Sequence, residues 1–82
     1  MKNEVGHVIE MFRKRSGLTQ EYMALRLGFT VHTYANMEKG RVDTSTERLY
    51  AIAQIFGIRP SQIFELAEQK IKEPDESLKY IL

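Results

Sequence analysis

Residues 20–40 read QEYMALRLGFTVHTYANMEKG, and this stretch decides the fold. Met23, Ala24 and Leu27 share one face of a helix of about eight residues, the spacing an amphipathic helix requires. Thr19 stands before it as an N-cap, with Gln20 and Glu21 in the first turn. Gly28 ends it, because the chain must leave with a positive φ that glycine adopts at little cost. Thr30 caps a second helix of about nine residues on which Tyr34 and Met37 face inward, and Gly40 stops it. Ala24 must be small because the second helix crosses closely over it. Tyr34 and Met37 close the angle between the two.

Outward from this pair the periodicity stays helical. Val5, Val8, Ile9 and Phe12 fall at i, i+3, i+4 and i+7 and predict a helix from about residue 4 to 15. Arg13-Lys14-Arg15 sits in its last turn, where cations favour the negative dipole end, and Ser16-Gly17 supplies the stop. Arg13 is expected to turn inward, Lys14 and Arg15 to be solvated. Residues 41–44 read as a loop. Ser45 or Thr46 opens a fourth helix carrying Leu49, Ile52, Ala53 and Phe56 on one face, closed by Gly57. Pro60 suits the first turn of a fifth helix, with Ile63, Leu66 and Ala67 at helical spacing, running to about Lys72. Pro74 interrupts it, and Pro74-Asp75-Glu76-Ser77 offers the start of a short sixth. Nothing reads as a strand. The expectation is an all-α, compact five-helix bundle over residues 1–68, with a C-terminal extension over 69–82.

The totals fit one domain. Eighty-two residues leave no room for two cores, since units below roughly 40 residues usually need a staple, and no cysteine is present to provide one. Residues 1–60 carry nine Lys/Arg against six Asp/Glu, whereas residues 61–82 carry three against five. A basic body with an acidic tail is compatible with nucleic acid but does not by itself specify it. Glu4 and Glu10 interrupt the apolar run a signal peptide needs, and no segment approaches ~18 uninterrupted apolar residues. A soluble, cytoplasmic protein is expected.

Two short helices set at an angle through a glycine turn make a helix-turn-helix. Here the chain resembles the Cro/repressor-type (XRE-like) helix-turn-helix family of small prokaryotic and phage transcriptional regulators. The resemblance covers roughly residues 6–66: SGLTQEYMA before the turn, GFT in it, YANMEKGR after it, and LYAIAQIFGI in the fourth helix. It implies a lambda-repressor-like fold in which residues 30–38 form a recognition helix in the major groove. Val31, His32, Ala35 and Asn36 are then the base-contacting residues. Asn36 suits an adenine edge, His32 donates or accepts, and Val31 and Ala35 suit a thymine methyl. His32 also reads as an ordinary surface histidine. Gln20 matches a residue that bonds phosphate in the family, and Thr30, Thr33, Lys39 and Arg41 flank the recognition helix as further phosphate contacts. The resemblance also pairs Arg13 with Glu38 as a partly buried structural ion pair. Two departures stand out. Val31 replaces a glutamine or serine and cannot share a hydrogen bond with Gln20. Tyr34 replaces an aliphatic residue, so its hydroxyl needs a partner or water.

Other residues read more plainly. Met11, Met23 and Met37 are core. His7 and Glu10 resemble half a metal site but lack a second pair, so a solvated helix face is expected, with no metal and no cofactor. Glu65 and Glu68 lie on a polar helix face. No motif assembles a nucleophile with a base, and no glycine-rich loop cradles phosphate, so no enzymatic activity is expected. Tyr22 and Leu25 point outward on the second helix, either bracing the DNA backbone or meeting a protein.

The function expected is a sequence-specific, double-stranded DNA-binding transcriptional regulator, a dimeric repressor on a palindromic operator. The alternatives are an antitoxin, with a toxin as its small protein partner, and the controller protein of a restriction–modification system. Tyr50, Ile55, Phe64, Ile71, Leu78, Tyr80, Ile81 and Leu82 exceed what a 60-residue core accommodates and are assigned to a homodimer interface.

Overall fold

In the computed structural model, which describes residues 1–72 and side chains through residue 70, five helices follow one another. They are α1 (Lys2–Arg15), α2 (Gln20–Leu27), α3 (Val31–Glu38), α4 (Thr46–Phe56) and α5 (Pro60–Lys72). No strand occurs among the described residues, and no helix is long and apolar enough to cross a membrane. The short helix expected after Pro74 lies outside the described residues.

The helix starts follow local chemistry. Thr19 Oγ1 accepts from the Tyr22 N–H at 3.0 Å, Thr30 Oγ1 from the Thr33 N–H at 3.1 Å, and Ser45 Oγ from the Arg48 N–H at 3.3 Å. Each satisfies a donor the helix leaves orphaned, worth about 1 kcal/mol. α5 begins differently. Pro60 occupies the first position, and Gln62 Oε1 reaches back to the Arg59 N–H at 2.8 Å, one half of a capping box. α1 starts two residues before the expected position because the Val5 N–H already donates to the Met1 carbonyl at 2.9 Å. α2 ends as expected at Gly28, whose φ is +76°.

α1 lies along α5 and crosses α3 and α4, while α2 packs on α3 and α4. Their shared core contains Val8, Ile9, Met23, Tyr34, Met37, Ile52 and Ile63, all fully buried, closed by Ala24, Leu49, Ala53 and Ala67. Phe12 and Phe56 stack at 5.7 Å between ring centroids on its margin. Met11 is half-buried against the same core.

The crossing of α1 over α3 is close enough to dictate a residue type. A Cβ at Gly6 would lie 2.5 Å from the carbonyl oxygens of both Met37 and Glu38. Real carbons do not approach backbone oxygen so closely, so position 6 admits only glycine without a shift of one helix against the other. This contact sets the height of α3 on the bundle and thereby how its outer face is presented.

Candidate nucleic-acid interface

The outer face of α3 is anchored from below by a polar cluster inside the bundle. Arg13 Nε donates to Glu38 Oε2 at 2.7 Å and Nη2 donates to Oε1 at 3.2 Å, a two-pronged pair linking the end of α1 to the end of α3. The Glu38 side chain is 1% exposed and that of Arg13 11%. Arg13 Nη1 also donates to the Leu18 carbonyl at 3.0 Å, and Gln20 Nε2 donates to Glu38 Oε1 at 2.9 Å. The cluster therefore ties α1, the loop after it, the start of α2 and the end of α3 together.

Charge in this cluster is held by hydrogen bonds against burial. Burial would raise the Glu38 carboxyl, but the bonds from Arg13 and Gln20 and the nearby Tyr34 hydroxyl outweigh it and hold the group below the usual glutamate range. The hydrogen bond to Glu38 raises Arg13 above the ordinary guanidinium. Tyr34, fully buried, is pushed well above the ordinary phenol, first by burial and then by the Glu38 carboxylate. Its hydroxyl has no hydrogen bond of acceptable geometry.

Above this anchor, α3 presents its other side to solvent. Val31 is 40% exposed, His32 and Thr33 are exposed, and Ala35 and Asn36 are half-buried. His32 and Asn36, one turn apart, are joined by a contact of 3.2 Å between His32 Nε2 and Asn36 Nδ2. Arg41 Nη1 donates to Asn36 Oδ1 at 3.4 Å. The expected base-contacting set thus shares one surface, with its polar members linked to each other.

The flanking residues divide. Lys39 and Arg41 are exposed beyond the end of α3, but Arg41 is turned back onto Asn36. Thr30 Oγ1 is engaged as the helix cap and donates its hydrogen to Thr33 Oγ1 at 3.0 Å, which leaves the Thr33 hydroxyl hydrogen free to donate outward. Gln20 spends one amide N–H on Glu38 and keeps another.

Arg48 and Arg26, which no sequence motif singles out, each engage an aromatic side chain. The Arg48 guanidinium lies 4.2 Å from the centre of the Phe29 ring, beside the turn leading into α3. Arg26 Nη1 donates to the Tyr22 hydroxyl at 2.6 Å on the outer side of α2. No spacing rule connects Arg48 with Phe29, because they meet only through the packing of α4 on the turn. Tyr22 and Leu25 are outward as expected, Leu25 at 78%.

Of the residues assigned to a dimer interface, Tyr50 and Phe64 are exposed, 59% and 40%. Ile55 is half-buried against its own core and offers less free surface than expected. The side chain of Ile71, and Leu78, Tyr80, Ile81 and Leu82, lie outside the described residues. Among the described residues no cluster of ligating side chains could hold a metal ion.

Known proteins share this architecture. The profile of a helix-turn-helix family matches residues 9–63. An uncharacterized HTH-type transcriptional regulator of Archaeoglobus fulgidus is 34% identical over 65 residues, covering 79% of this chain and 92% of the relative. One from Methanocaldococcus jannaschii is 36% identical over 64 residues, 78% and 91% of the two chains. Two crystal structures of the clp gene regulator ClgR from Corynebacterium glutamicum superpose with TM-scores of 0.81 and 0.83. The first is 19% identical over 89% of this chain and 95% of the other, the second 20% identical over 99% and 88%. The chain belongs to the XRE-type helix-turn-helix family, a class of DNA-binding transcriptional regulators.

Proposed function

We propose that this protein is a sequence-specific regulator that binds duplex DNA through the outer face of α3 and represses by occluding a promoter. What carries the assignment is the arrangement on that face: Asn36 and His32 present donors and acceptors one turn apart, on a helix fixed from beneath by the buried Arg13–Glu38 pair. A base-reading helix needs both features, because hydrogen bonds to base edges discriminate only from a fixed position. Val31 and Ala35 supply apolar contacts to thymine methyls beside them. Lys39, Thr33 and the remaining Gln20 N–H are the phosphate contacts, with Thr30 holding the helix end that approaches the backbone.

The protein acts as a homodimer on a palindromic site. One recognition helix spans only about four base pairs, and pairing sets two such helices about 34 Å apart along the duplex. Support comes from Tyr50 on α4 and Phe64 on α5, large apolar side chains left exposed in the single chain. Selection of bound duplexes from a random library tests the assignment. A two-fold symmetric consensus is the expected result, and recovery of unenriched sequence would contradict it.

A further inference from the structure

We propose that Arg41 is a positioning residue for base readout, holding the Asn36 side-chain amide in the one orientation that reads an adenine edge, and not a phosphate contact. This rests on Asn36 reading a base as proposed above. The backbone past the end of α3 brings the two residues together. The Gly40 N–H donates to the Met37 carbonyl and the Arg41 N–H to the Asn36 carbonyl, both at 3.0 Å, the paired bonds of a Schellman turn. Gly40 has φ +73°, and a Cβ there would lie 2.6 Å from Asn3 Cα on α1. Backbone conformation and packing both require glycine, so this turn is fixed. It returns Arg41 to the level of Asn36, and Nη1 reaches Oδ1 at 3.4 Å.

An asparagine amide has two faces to offer, related by a rotation about its last side-chain torsion, which is soft. One places Oδ1 where the other places Nδ2. Arg41 removes the ambiguity because a guanidinium has only donors. With Oδ1 toward Arg41 a bond forms; with Nδ2 toward it, donors and partial positive charges face each other. His32 Nε2 then lies 3.2 Å from the amide nitrogen, and accepts from it in the tautomer that carries the ring hydrogen on Nδ1. Each neighbour uses one lone pair or one N–H, and the amide retains one of each. That is the pair an adenine needs, whose N7 accepts and whose N6 amino group donates.

The test uses the full chain, a duplex from the selection, and a panel carrying each single base-pair change. Asn36→Ala should abolish preference at one A·T pair. Arg41→Ala should lower preference at that same pair by roughly five- to tenfold. The double variant should discriminate no worse than Asn36→Ala alone, and the salt dependence should match the parent. In free protein, Arg41→Ala should shift the Asn36 side-chain NH2 resonances. Arg41 is exposed beyond the helix end, so the fold is retained. A uniform loss on every duplex, with the salt slope shallower by about one unit, would make Arg41 a phosphate contact and overturn the proposal. Preference lost in Asn36→Ala but kept in Arg41→Ala overturns the positioning role alone. Preference kept in Asn36→Ala overturns base reading by Asn36 as well.

Discussion

Arg13 grips Glu38 through two donors, at 2.7 and 3.2 Å, across 25 residues of sequence. The pair is nearly dry, so its two members are unequal to their sum: losing either leaves a buried charge uncompensated, whereas losing both leaves only a gap. Arg13→Met should therefore destabilise the fold by about 3 kcal/mol or more. The double change with Glu38→Leu should recover much of that loss. Urea unfolding of both variants measures it, and a single variant with an unchanged midpoint would show the pair to be energetically idle.

The same cluster sets the pH limits of stability. Glu38 is depressed in the fold, so its contribution is present above the unfolded carboxyl value of 4.5 and lost as pH falls through the lower folded value. Tyr34 is raised in the fold, so its contribution is present below the unfolded phenol value of 10.0 and lost as pH rises past it. Thermal midpoints across pH should fall at both ends. Tyr34→Phe should flatten the alkaline limb and move the acid limb to slightly higher pH, because the hydroxyl helps hold Glu38 low.

Gly6 offers a test with a reversed sign. In a solvated helix interior, Gly→Ala stabilises by about 1 kcal/mol. At position 6 the new methyl would enter the carbonyl oxygens of Met37 and Glu38, and such overpacking costs roughly 1–3 kcal/mol. The steric term wins, so Gly6→Ala should lower the thermal midpoint. A raised midpoint would show that the α1–α3 crossing has room for a methyl group.

Features set by neighbouring residues are legible in the sequence, and those set by packing are not. Thr19, Thr30 and Ser45 announced helix starts because a cap bonds a backbone group two or three residues away, and such local chemistry is written in adjacent letters. Gly28 and Pro60 marked boundaries for the same reason. Gly6 carried no such signal: mid-helix it looks like a weak residue, and its role appears only when α3 is laid across it. The family resemblance points Gln20 to phosphate, while its bond to Glu38 depends on how α2 abuts α3. Only the family resemblance, and no spacing rule, pairs Arg13 with Glu38. The outer face of α3 was legible because helical periodicity fixes which residues cannot be core. The links among His32, Asn36 and Arg41 were not, since they depend on the turn at Gly40.

Dimerisation through α4 and α5 makes a further prediction. Replacing both Tyr50 and Phe64 with glutamate should leave the fold intact, as both side chains are exposed, and should place like charges at a two-fold contact. Sedimentation should show a dimer for the parent and a monomer for the variant. A parent that sediments as a monomer at tens of micromolar while binding a single half-site tightly would contradict the paired arrangement.

If the outer face of α3 reads duplex sequence while cations beside it neutralise phosphate, affinity must depend on both sequence and salt. Equilibrium affinity for the selected duplex and for a scrambled one, measured over a range of salt, separates the two contributions. The selected duplex should bind at least about 10³-fold tighter at physiological salt. Both affinities should fall as salt rises, and Lys39→Ala should shallow the slope by about one unit on each. Equal affinity for the two duplexes at every salt concentration would show that α3 reads no sequence.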